Sequence, residues 1–281
     1  MKFIYSEWDL FCKDLQREGI QSITASEILS KVQTDGLDKR FRFVNLKHDV
    51  ESQPRKALDL ARIEYKYGHC ATYYVQAYLM TESNKSIFQE IQRLGHEVTY
   101  HHDVMDGAKG VLLDALSIYK KNVEKFKSFG FDVHTVCQHG NPVSDYENRD
   151  FFRSELVQKE FPYHSDIMVD FMNKIGQQYV YISDVGMSFK IVTDPLLLEK
   201  RTESEKYIIL GDLDNVVNEL QNNPNVSYIV SAHPHRYNKS LLKSTMRKYL
   251  FKFIKVVAKT LFLIPGVKKF LFRFNSITKY L

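Results

Sequence analysis

The chain has 281 residues, of which 44% are hydrophobic and 26% charged, so it is long enough to bury a full core and too apolar to be disordered as a whole. Its net charge of +5 is unevenly distributed: residues 241–281 contain ten Lys and Arg and no Asp or Glu, whereas residues 1–240 contain 29 basic and 34 acidic residues. This distribution argues against a nucleic-acid-binding body and predicts two parts, a folded domain at 1–240 and a basic tail at 241–281.

The first residues and the cysteines predict a cytoplasmic protein. Residues 1–11 include Glu7 and Asp9 and have no uninterrupted apolar segment, which is unlike a secretory signal peptide. The cysteines are odd in number and lack the paired spacing of a metal site; they are Cys12, Cys70 and Cys137. We therefore expect reduced thiols rather than disulfides.

Segments typical of helices and of strands alternate along the body of the chain. Apolar spacing predicts helices at 5–18, 24–29, 55–67, 82–94 and 110–129. A capping box formed by Thr24 and Glu27 supports the start of the second of these helices. Strands are predicted at 41–46, 70–76, 96–101, 134–139, 179–183 and 226–232. This alternation predicts an α/β fold with a largely parallel sheet, open or closed into a barrel.

Five of the predicted strands are followed by polar or ionisable residues. These are His48-Asp49-Glu51, His101-His102-Asp103, His139-Gly140-Asn141, Ser183-Asp184, and the pair His233 and His235. The carboxyl ends of parallel strands lie along one edge of a sheet, so these residues are expected to converge. Histidines and carboxylates in one place fit a divalent metal site or an acid–base site, although each group alone also fits a turn, a helix cap or a strand end.

The order and spacing of six segments resemble the polysaccharide deacetylase family, the NodB-homology domain of carbohydrate esterase family 4, in a divergent branch associated with surface-polysaccharide clusters. The resemblance covers roughly residues 40–237, and GHEVTYH at 95–101 is its most specific part, being similar to the family's GHEIG-x-H. The six segments are KHDVE (47–51), ALDLARIEYKYGHCATYYVQ (57–76), GHEVTYHHD (95–103), CQHGNP (137–142), YISDVG (181–186) and SYIVSAHP (227–234).

The resemblance implies a distorted (β/α) barrel of about seven strands whose rim binds one divalent metal, most often Zn²⁺. Its metal ligands would include Asp49 and His101. The family's second histidine, four residues later, is replaced here by Met105, which cannot substitute for imidazole on zinc. The residue that completes the site is then one of His102, Asp103, Asp106 and His139, and we select His139.

The resemblance also implies catalytic roles. His48 would stand in place of the family's aspartate base, Asp184 would orient an imidazole, and His233 would be the general acid. The residues expected to contact substrate are His102, Asn141 and His235. Two hypotheses follow. The chain is a metal-dependent hydrolase that removes an acetyl group from a sugar or glycan intermediate in surface-polysaccharide biosynthesis, or it is a catalytically inactive glycan-binding or regulatory module on the same fold.

The basic tail predicts an amphipathic helix at 248–264. On a helix its lysines at 248, 252, 255 and 259 fall within an arc of roughly 60°, and most of the remaining circumference is apolar. The lysines argue against a transmembrane helix and favour one that lies in the interface of an anionic membrane. Such a helix would hold the protein on the inner face of the cell membrane, near lipid-linked glycans. The alternatives are a helix packed on the barrel with solvated lysines, or a helix bound in a partner's groove.

Overall fold

A computed structural model of the chain describes residues 2–35, 41–141, 144–192, 207–247 and 249–250. Nine strands form one sheet: β1 (Val44–Val50), β2 (Ala71–Val75), β3 (Glu97–His102), β4 (Thr135–Gln138), β5 (Ser165–Asp166), β6 (Val180–Ser183), β7 (Phe189–Val192), β8 (Tyr207–Gly211) and β9 (Tyr228–Ala232). The helices are α1 (Tyr5–Arg17), α2 (Ala25–Asp35), α3 (Pro54–Lys66), α4 (Glu82–Arg93), α5 (Val104–Gly107), α6 (Leu112–Ser128), α7 (Asp150–Arg153), α8 (Glu155–Glu160), α9 (Phe171–Ile175) and α10 (Leu213–Asn222).

The sheet has the order β5-β4-β3-β2-β1-β9-β6-β7-β8. Its first seven strands are parallel, and β7 and β8 are added antiparallel at one side. The predicted α/β class, with about seven parallel strands, is confirmed. The pairings follow one line from β5 to β8, and no hydrogen-bonded pair within the described part of the chain joins those two strands.

The central strands are buried on both faces, as is usual for parallel strands that lie between layers of other elements. One face packs against α1, α3, α4, α6 and α10 through residues such as Trp8, Leu60 and Phe88. The other face packs around Tyr74 and Cys137 and is covered by apolar residues of α2 and α9. Because side chains alternate along a strand, neighbouring residues of one strand belong to different layers.

Most predicted elements agree with the structure to within two or three residues. The predicted helix at 55–67 is observed at Pro54–Lys66, and the predicted strand at 134–139 at Thr135–Gln138. The Thr24 hydroxyl accepts a hydrogen bond from the backbone N–H of Glu27 at 3.1 Å, as the capping box predicts, although the helix extends beyond the predicted end to Asp35. Within the described residues the structure adds eight elements that the sequence patterns did not predict: the strands β5, β7 and β8, the short helices α5, α7, α8 and α9, and the helix α10.

The described part of the chain has no helix that is both long and apolar enough to cross a bilayer. Cys12, Cys70 and Cys137 are free thiols. The helix predicted at 248–264 lies outside the described residues apart from Tyr249 and Leu250, so the division into a body and a separate tail stays a prediction.

Candidate functional site

Glu51, one residue beyond the end of β1, lies among three imidazole rings. Its Oε1 is 3.3 Å from His139 Nε2, 3.9 Å from His101 Nε2 and 4.0 Å from His233 Nε2. Burial alone would raise the pKa of Glu51, but the hydrogen bonds of His101 and His139 and the charge of His233 hold it well below its ordinary value. Glu51 is therefore a carboxylate, and we call these four residues the Glu51 cluster.

The backbone orients His101, near the end of β3, and His139, directly after β4. The Nδ1 of His101 lies 2.9 Å from the carbonyl oxygen of Cys137, and because a carbonyl can only accept, Nδ1 carries the proton. The other ring nitrogen of His101, Nε2, is thereby directed toward Glu51. His139 is held through its backbone, since its N–H donates to the His102 carbonyl at 2.7 Å and its own carbonyl accepts from Asn148 at 2.9 Å.

Among the described residues, two sets of three side chains have ligating atoms within 4.8 Å of one another: Glu51 with His101 and His139, and Asp49 with His101 and Cys137. Ligand atoms about 2.1 Å from a tetrahedral zinc ion lie roughly 3.4 Å apart, so both sets are close to metal-binding spacing. The first set fits better: two histidines and a carboxylate are a common catalytic zinc set, and the Glu51 side chain is 18% exposed. In the second set, burial raises the pKa of the Cys137 thiol well above its ordinary value, which disfavours the thiolate.

Asp49 is paired with a buried lysine. The Lys47 Nζ lies 2.6 Å from both carboxylate oxygens of Asp49, and also 5.4 Å and 5.7 Å from the ring centroids of Tyr74 and Tyr181. Burial opposes charge on both partners. Even so, Asp49 keeps the pKa of Lys47 raised, and Lys47, followed by His101, keeps the pKa of Asp49 lowered. The pair is ionised, and the carboxylate predicted as a metal ligand already has a cation on both oxygens.

His233 is oriented by Asp184. Its Nδ1 donates to Asp184 Oδ1 at 2.6 Å, and its backbone N–H donates to Oδ2 at 3.0 Å. Arg236 Nη1 donates to the same Oδ1 at 2.6 Å. Burial alone would raise the pKa of Asp184, but Arg236 and then His233 hold it well below its ordinary value. The other ring nitrogen of His233, Nε2, lies 3.9 Å from Asp49 Oδ2 and 4.0 Å from Glu51 Oε1, so this imidazole lies between Asp184 and the two carboxylates of the β1 end.

His235 lies next to His233, with ring centroids 5.7 Å apart, but only 6% of it is exposed. Burial, with smaller contributions from His233 and Arg236, lowers the pKa of His235 to about 3, so its ring is neutral near pH 7. Its backbone carbonyl accepts hydrogen bonds from Lys56 at 2.9 Å and from Arg247. The predicted contact of His235 with substrate stays a prediction.

His48 does not face the site, so its predicted role as general base is wrong. It is fully buried on the opposite face of β1 from Asp49, with Nε2 2.6 Å from Glu64 Oε1 and Nδ1 3.2 Å from the Ala232 carbonyl. Glu64 also accepts from Trp8 Nε1 at 3.0 Å and from the Tyr73 hydroxyl at 2.6 Å. We call Glu64, His48, Trp8 and Tyr73 the Glu64 cluster. Side-chain alternation along β1 separates His48 from its neighbour Asp49.

The same alternation separates His102 from His101. The ring of His102 is fully buried, and its Nε2 donates to Asp166 Oδ2 at 2.8 Å among the rings of Phe151 and Phe152. The prediction that His102 contacts substrate is therefore wrong, because the ring has no exposed surface.

Asn141 lies in the loop that carries His139. Its Nδ2 donates to Asp106 Oδ2 at 2.9 Å, and Asn148, which holds the His139 carbonyl, donates to the same oxygen at 3.1 Å. In this arrangement Asn141 supports the loop, and its predicted contact with substrate stays a prediction.

Sequence reasoning assigned no role to Glu51, Lys47 or Arg236. For the first two a signal exists: residues 47, 49 and 51 are two apart, so a lysine and two carboxylates share one face of β1. For Arg236 the sequence has no such signal, because the residue reaches Asp184 only through the 3₁₀ turn Pro234–Arg236.

A cavity of about 770 Å³ lies between α6 and the segments that follow β2 and β3, and none of its lining residues belongs to the Glu51 cluster. Tyr78, Asp103 and Lys121 line it, and the Tyr78 hydroxyl donates to the Glu51 backbone carbonyl. A larger cavity of about 1300 Å³, lined by Phe41, Gln177 and other residues, lies at the amino ends of β1, β6 and β9, at the other end of the sheet from these side chains.

Comparison with known proteins finds similarity in structure. No protein-family model matches the sequence, and no curated protein matches it. Among solved structures, the chain is similar to a CE4 esterase from Streptococcus mutans, with 16% identity, a TM-score of 0.42, and 84% of this chain and 88% of that chain covered.

Two further structures match in the same way. A CE4 family pseudoenzyme from Bacillus anthracis is 13% identical, with a TM-score of 0.41 and coverage of 77% of this chain and 62% of that one. Peptidoglycan deacetylase PdaC from Bacillus subtilis is 11% identical, with a TM-score of 0.36 and coverage of 78% and 98%. At these identities and scores, function has to be inferred from the side chains of this chain itself.

Proposed function

We propose that the chain is a metal-dependent hydrolase that removes an acetyl group from a sugar or glycan intermediate in surface-polysaccharide biosynthesis. The observation that carries this proposal is one arrangement. Three side chains lie at metal-binding spacing: the carboxylate of Glu51 and the imidazoles of His101 and His139. A third imidazole, that of His233, is oriented by Asp184, and its Nε2 lies 4.0 Å from Glu51. Surface-polysaccharide synthesis and a peripheral position on the inner face of the cell membrane are parts of the proposal that rest on the sequence.

Glu51, His101 and His139 would hold the metal, and zinc is the ion that best suits two imidazoles and a carboxylate. When bound, such an ion polarises an acetyl carbonyl and makes water acidic enough to lose a proton near neutral pH. Because Nδ1 of His101 donates its proton to the Cys137 carbonyl, the other ring nitrogen, Nε2, would be available to bind the metal.

The remaining residues of the site would move the protons. Asp49 is ionised and 3.9 Å from His233, so its carboxylate can accept the proton of the attacking water. His233, kept in orientation by Asp184, would donate a proton from Nε2 to the departing amine or alkoxide. Lys47 would hold the Asp49 carboxylate in place.

The cavity lined by Tyr78 would receive the sugar. Tyr78 is 43% exposed and lies next to Glu51, so its ring can pack against the apolar face of a pyranose while the polar groups of Asp103 and Lys121 contact hydroxyl groups. The partner of the protein would then be a carbohydrate or a lipid-linked glycan.

The alternative is a catalytically inactive glycan-binding module, and one observation favours it. The ammonium of Lys47 lies 2.6 Å from both oxygens of Asp49 and lowers the pKa of that carboxylate, which weakens it as a base.

Metal content tests the proposal first. Elemental analysis of the purified protein should find about one divalent ion per chain, lost in His139→Ala because a ligand is removed. His134→Ala is a matched control, since His134 is an exposed histidine that precedes the same strand, β4, at its other end. A wild-type protein that holds no metal and takes up none on titration would exclude the hydrolase mechanism.

Acetate release from acetylated amino sugars and oligosaccharides then separates the hydrolase from the binding module. His233→Asn should keep the metal and lose about 100-fold or more in rate, because the proton donor is gone. A metal-loaded wild type that binds these sugars and releases no acetate from any of them would establish the binding module instead.

A further inference from the structure

A helical segment at residues 241–247 and 249–250 packs on the body of the protein. Polar residues form its attachment. Ser244 is 4% exposed, and its hydroxyl accepts a hydrogen bond from the Phe3 backbone N–H at 3.0 Å. Arg247 Nη1 donates to the carbonyl oxygen of His235. Ser244 and Arg247 lie within one turn of each other, so one side of the helix is fixed to the body through polar contacts.

The opposite side of this helix is apolar and exposed. Leu242 is 70% exposed, Met246 63%, Tyr249 66% and Leu250 52%. At about 100° per residue these four side chains fall within an arc of roughly 100°, whose centre lies about 170° from Ser244 and about 110° from Arg247 around the helix. We call them the apolar stripe. A helix on the surface of a globular protein ordinarily packs its apolar side inward, and here the orientation is reversed.

The charge of the residues that follow the apolar stripe in sequence indicates what kind of surface covers it. Residues 241–281 contain ten Lys and Arg and no Asp or Glu, and they include many large apolar residues; residues 1–240 have an excess of acidic groups. A groove on a partner protein would accept the apolar stripe but gives no reason for an uninterrupted run of positive charge. An extended anionic surface with an apolar interior matches both properties, and that is the interface of a bilayer containing anionic lipid.

We propose that the apolar stripe and the basic residues after it dock this protein on an anionic bilayer. The docking helix is tied directly to the candidate site. Arg247 and Lys56 both donate to the carbonyl of His235, two residues from His233, so the docked helix would hold the site beside the lipid headgroups. This inference rests on the proposed function: if the site removes acetyl groups, its substrate is an acetylated saccharide carried on a lipid of that bilayer.

Sedimentation of the full-length protein with vesicles tests the docking. Phosphatidylcholine vesicles that contain phosphatidylglycerol should pellet the wild type, pure phosphatidylcholine vesicles should pellet it far less, and added salt should weaken the binding. The double substitution Leu242→Glu with Met246→Glu should weaken binding at least tenfold, because it places two carboxylates in the apolar stripe. Replacing Lys252 and Lys255 by Gln should weaken it by roughly fivefold for each residue.

The control is Ile208→Glu with Ile209→Glu, which changes an equally exposed apolar pair on β8, 55% and 73% exposed, and should bind vesicles as the wild type does. Circular dichroism and cooperative unfolding confirm that each variant folds. Docking is rejected if the wild type ignores anionic vesicles or if the stripe variant binds them equally well. It is also rejected if sedimentation velocity finds a dimer that the stripe substitutions dissociate while no vesicles are bound.

Metal content and acetate release from soluble sugars, measured on the same variants, separate the two proposals. Vesicle binding with neither metal nor acetate release would remove the hydrolase and leave the docking in place. Acetate release by both the wild type and the stripe variant, with no vesicle binding by either, would remove the docking and leave the hydrolase.

Discussion

The Glu51 cluster and the Glu64 cluster use the same residue types in two different ways. Glu64 is fully buried, and its oxygens lie 2.6–3.0 Å from donors on His48, Trp8 and Tyr73. Glu51 has an 18% exposed side chain, and the nearest imidazole nitrogens lie 3.3–4.0 Å from its Oε1. Short hydrogen bonds satisfy the first carboxylate, whereas the contacts of the second are longer and close to the spacing of ligands around an ion.

The difference shows that a buried carboxylate among histidines is not by itself a site. The Glu64 cluster connects α1, α3, β1 and β2 through direct contacts, as a structural network does. The Glu51 cluster lies at the carboxyl end of the parallel strands, its carboxylate is partly exposed, and Asp184 orients one of its imidazoles, that of His233. Distance between polar atoms and access to solvent separate the two.

The largest expected effect concerns metal binding. Glu51→Gln should weaken affinity for zinc by at least about 1,000-fold, because an anionic ligand is replaced by a neutral amide. Glu64→Gln should leave the stoichiometry unchanged. Titration of metal-free protein with zinc checks both variants, and equal zinc affinity in Glu51→Gln and the wild type would move the site to Asp49, His101 and Cys137.

The same two substitutions should affect the free energy of unfolding in the opposite order. Glu64→Gln should lower the free energy of unfolding by about 4 kcal/mol, because it breaks a fully buried charge-assisted network. In metal-free protein, Glu51→Gln should change it by less than about 1 kcal/mol, since Glu51 is partly exposed and its contacts with the imidazole nitrogens are longer, at 3.3–4.0 Å. Urea unfolding at pH 7 measures both. A greater loss in Glu51→Gln would show that its cluster is structural.

A third substitution tests whether Asp49, like Glu64, depends on a buried partner for the stability of the fold. Lys47→Met should lower the free energy of unfolding by about 3 kcal/mol, because it leaves the buried Asp49 carboxylate without its cation. The double variant Lys47→Met with Asp49→Leu should recover most of the loss, since neither charge then remains. If the single variant is as stable as the wild type, Asp49 is neutralised by its other neighbours, His101 and His233.

The smallest effect is a dependence of stability on pH. The pKa of His235 in the folded protein is about 3, below its ordinary value of 6.5. Between pH 3 and pH 6.5 the unfolded chain therefore binds more protons than the folded chain does. The contribution of His235 is therefore fully present above pH 6.5 and is lost as pH falls, by roughly 2 kcal/mol at about pH 5. Unfolding midpoints for the wild type and His235→Gln between these pH values should converge in acid. Parallel curves would contradict the assignment.

The sequence by itself determined much of the framework. Alternating segments predicted the parallel sheet, and polar residues at the carboxyl ends of β1, β3, β4, β6 and β9 predicted which end of it carries the candidate site. Both predictions depend on local properties, namely side-chain period, caps and the position of strand ends, which can be read within a few neighbouring residues. Asp49, His101, His139, Asp184 and His233 do lie together at that end.

Only the tertiary structure decided which residue of each adjacent pair faces the site. Alternation makes His48 and Asp49, or His101 and His102, point to opposite faces, but whether a face meets the cavity or the helices depends on what packs there. The partners of Glu64 are 9, 16 and 56 residues away in sequence, so no local pattern reveals that His48 belongs to it. The role of a charged side chain here is set by long-range contacts, because those determine its partners and its access to water.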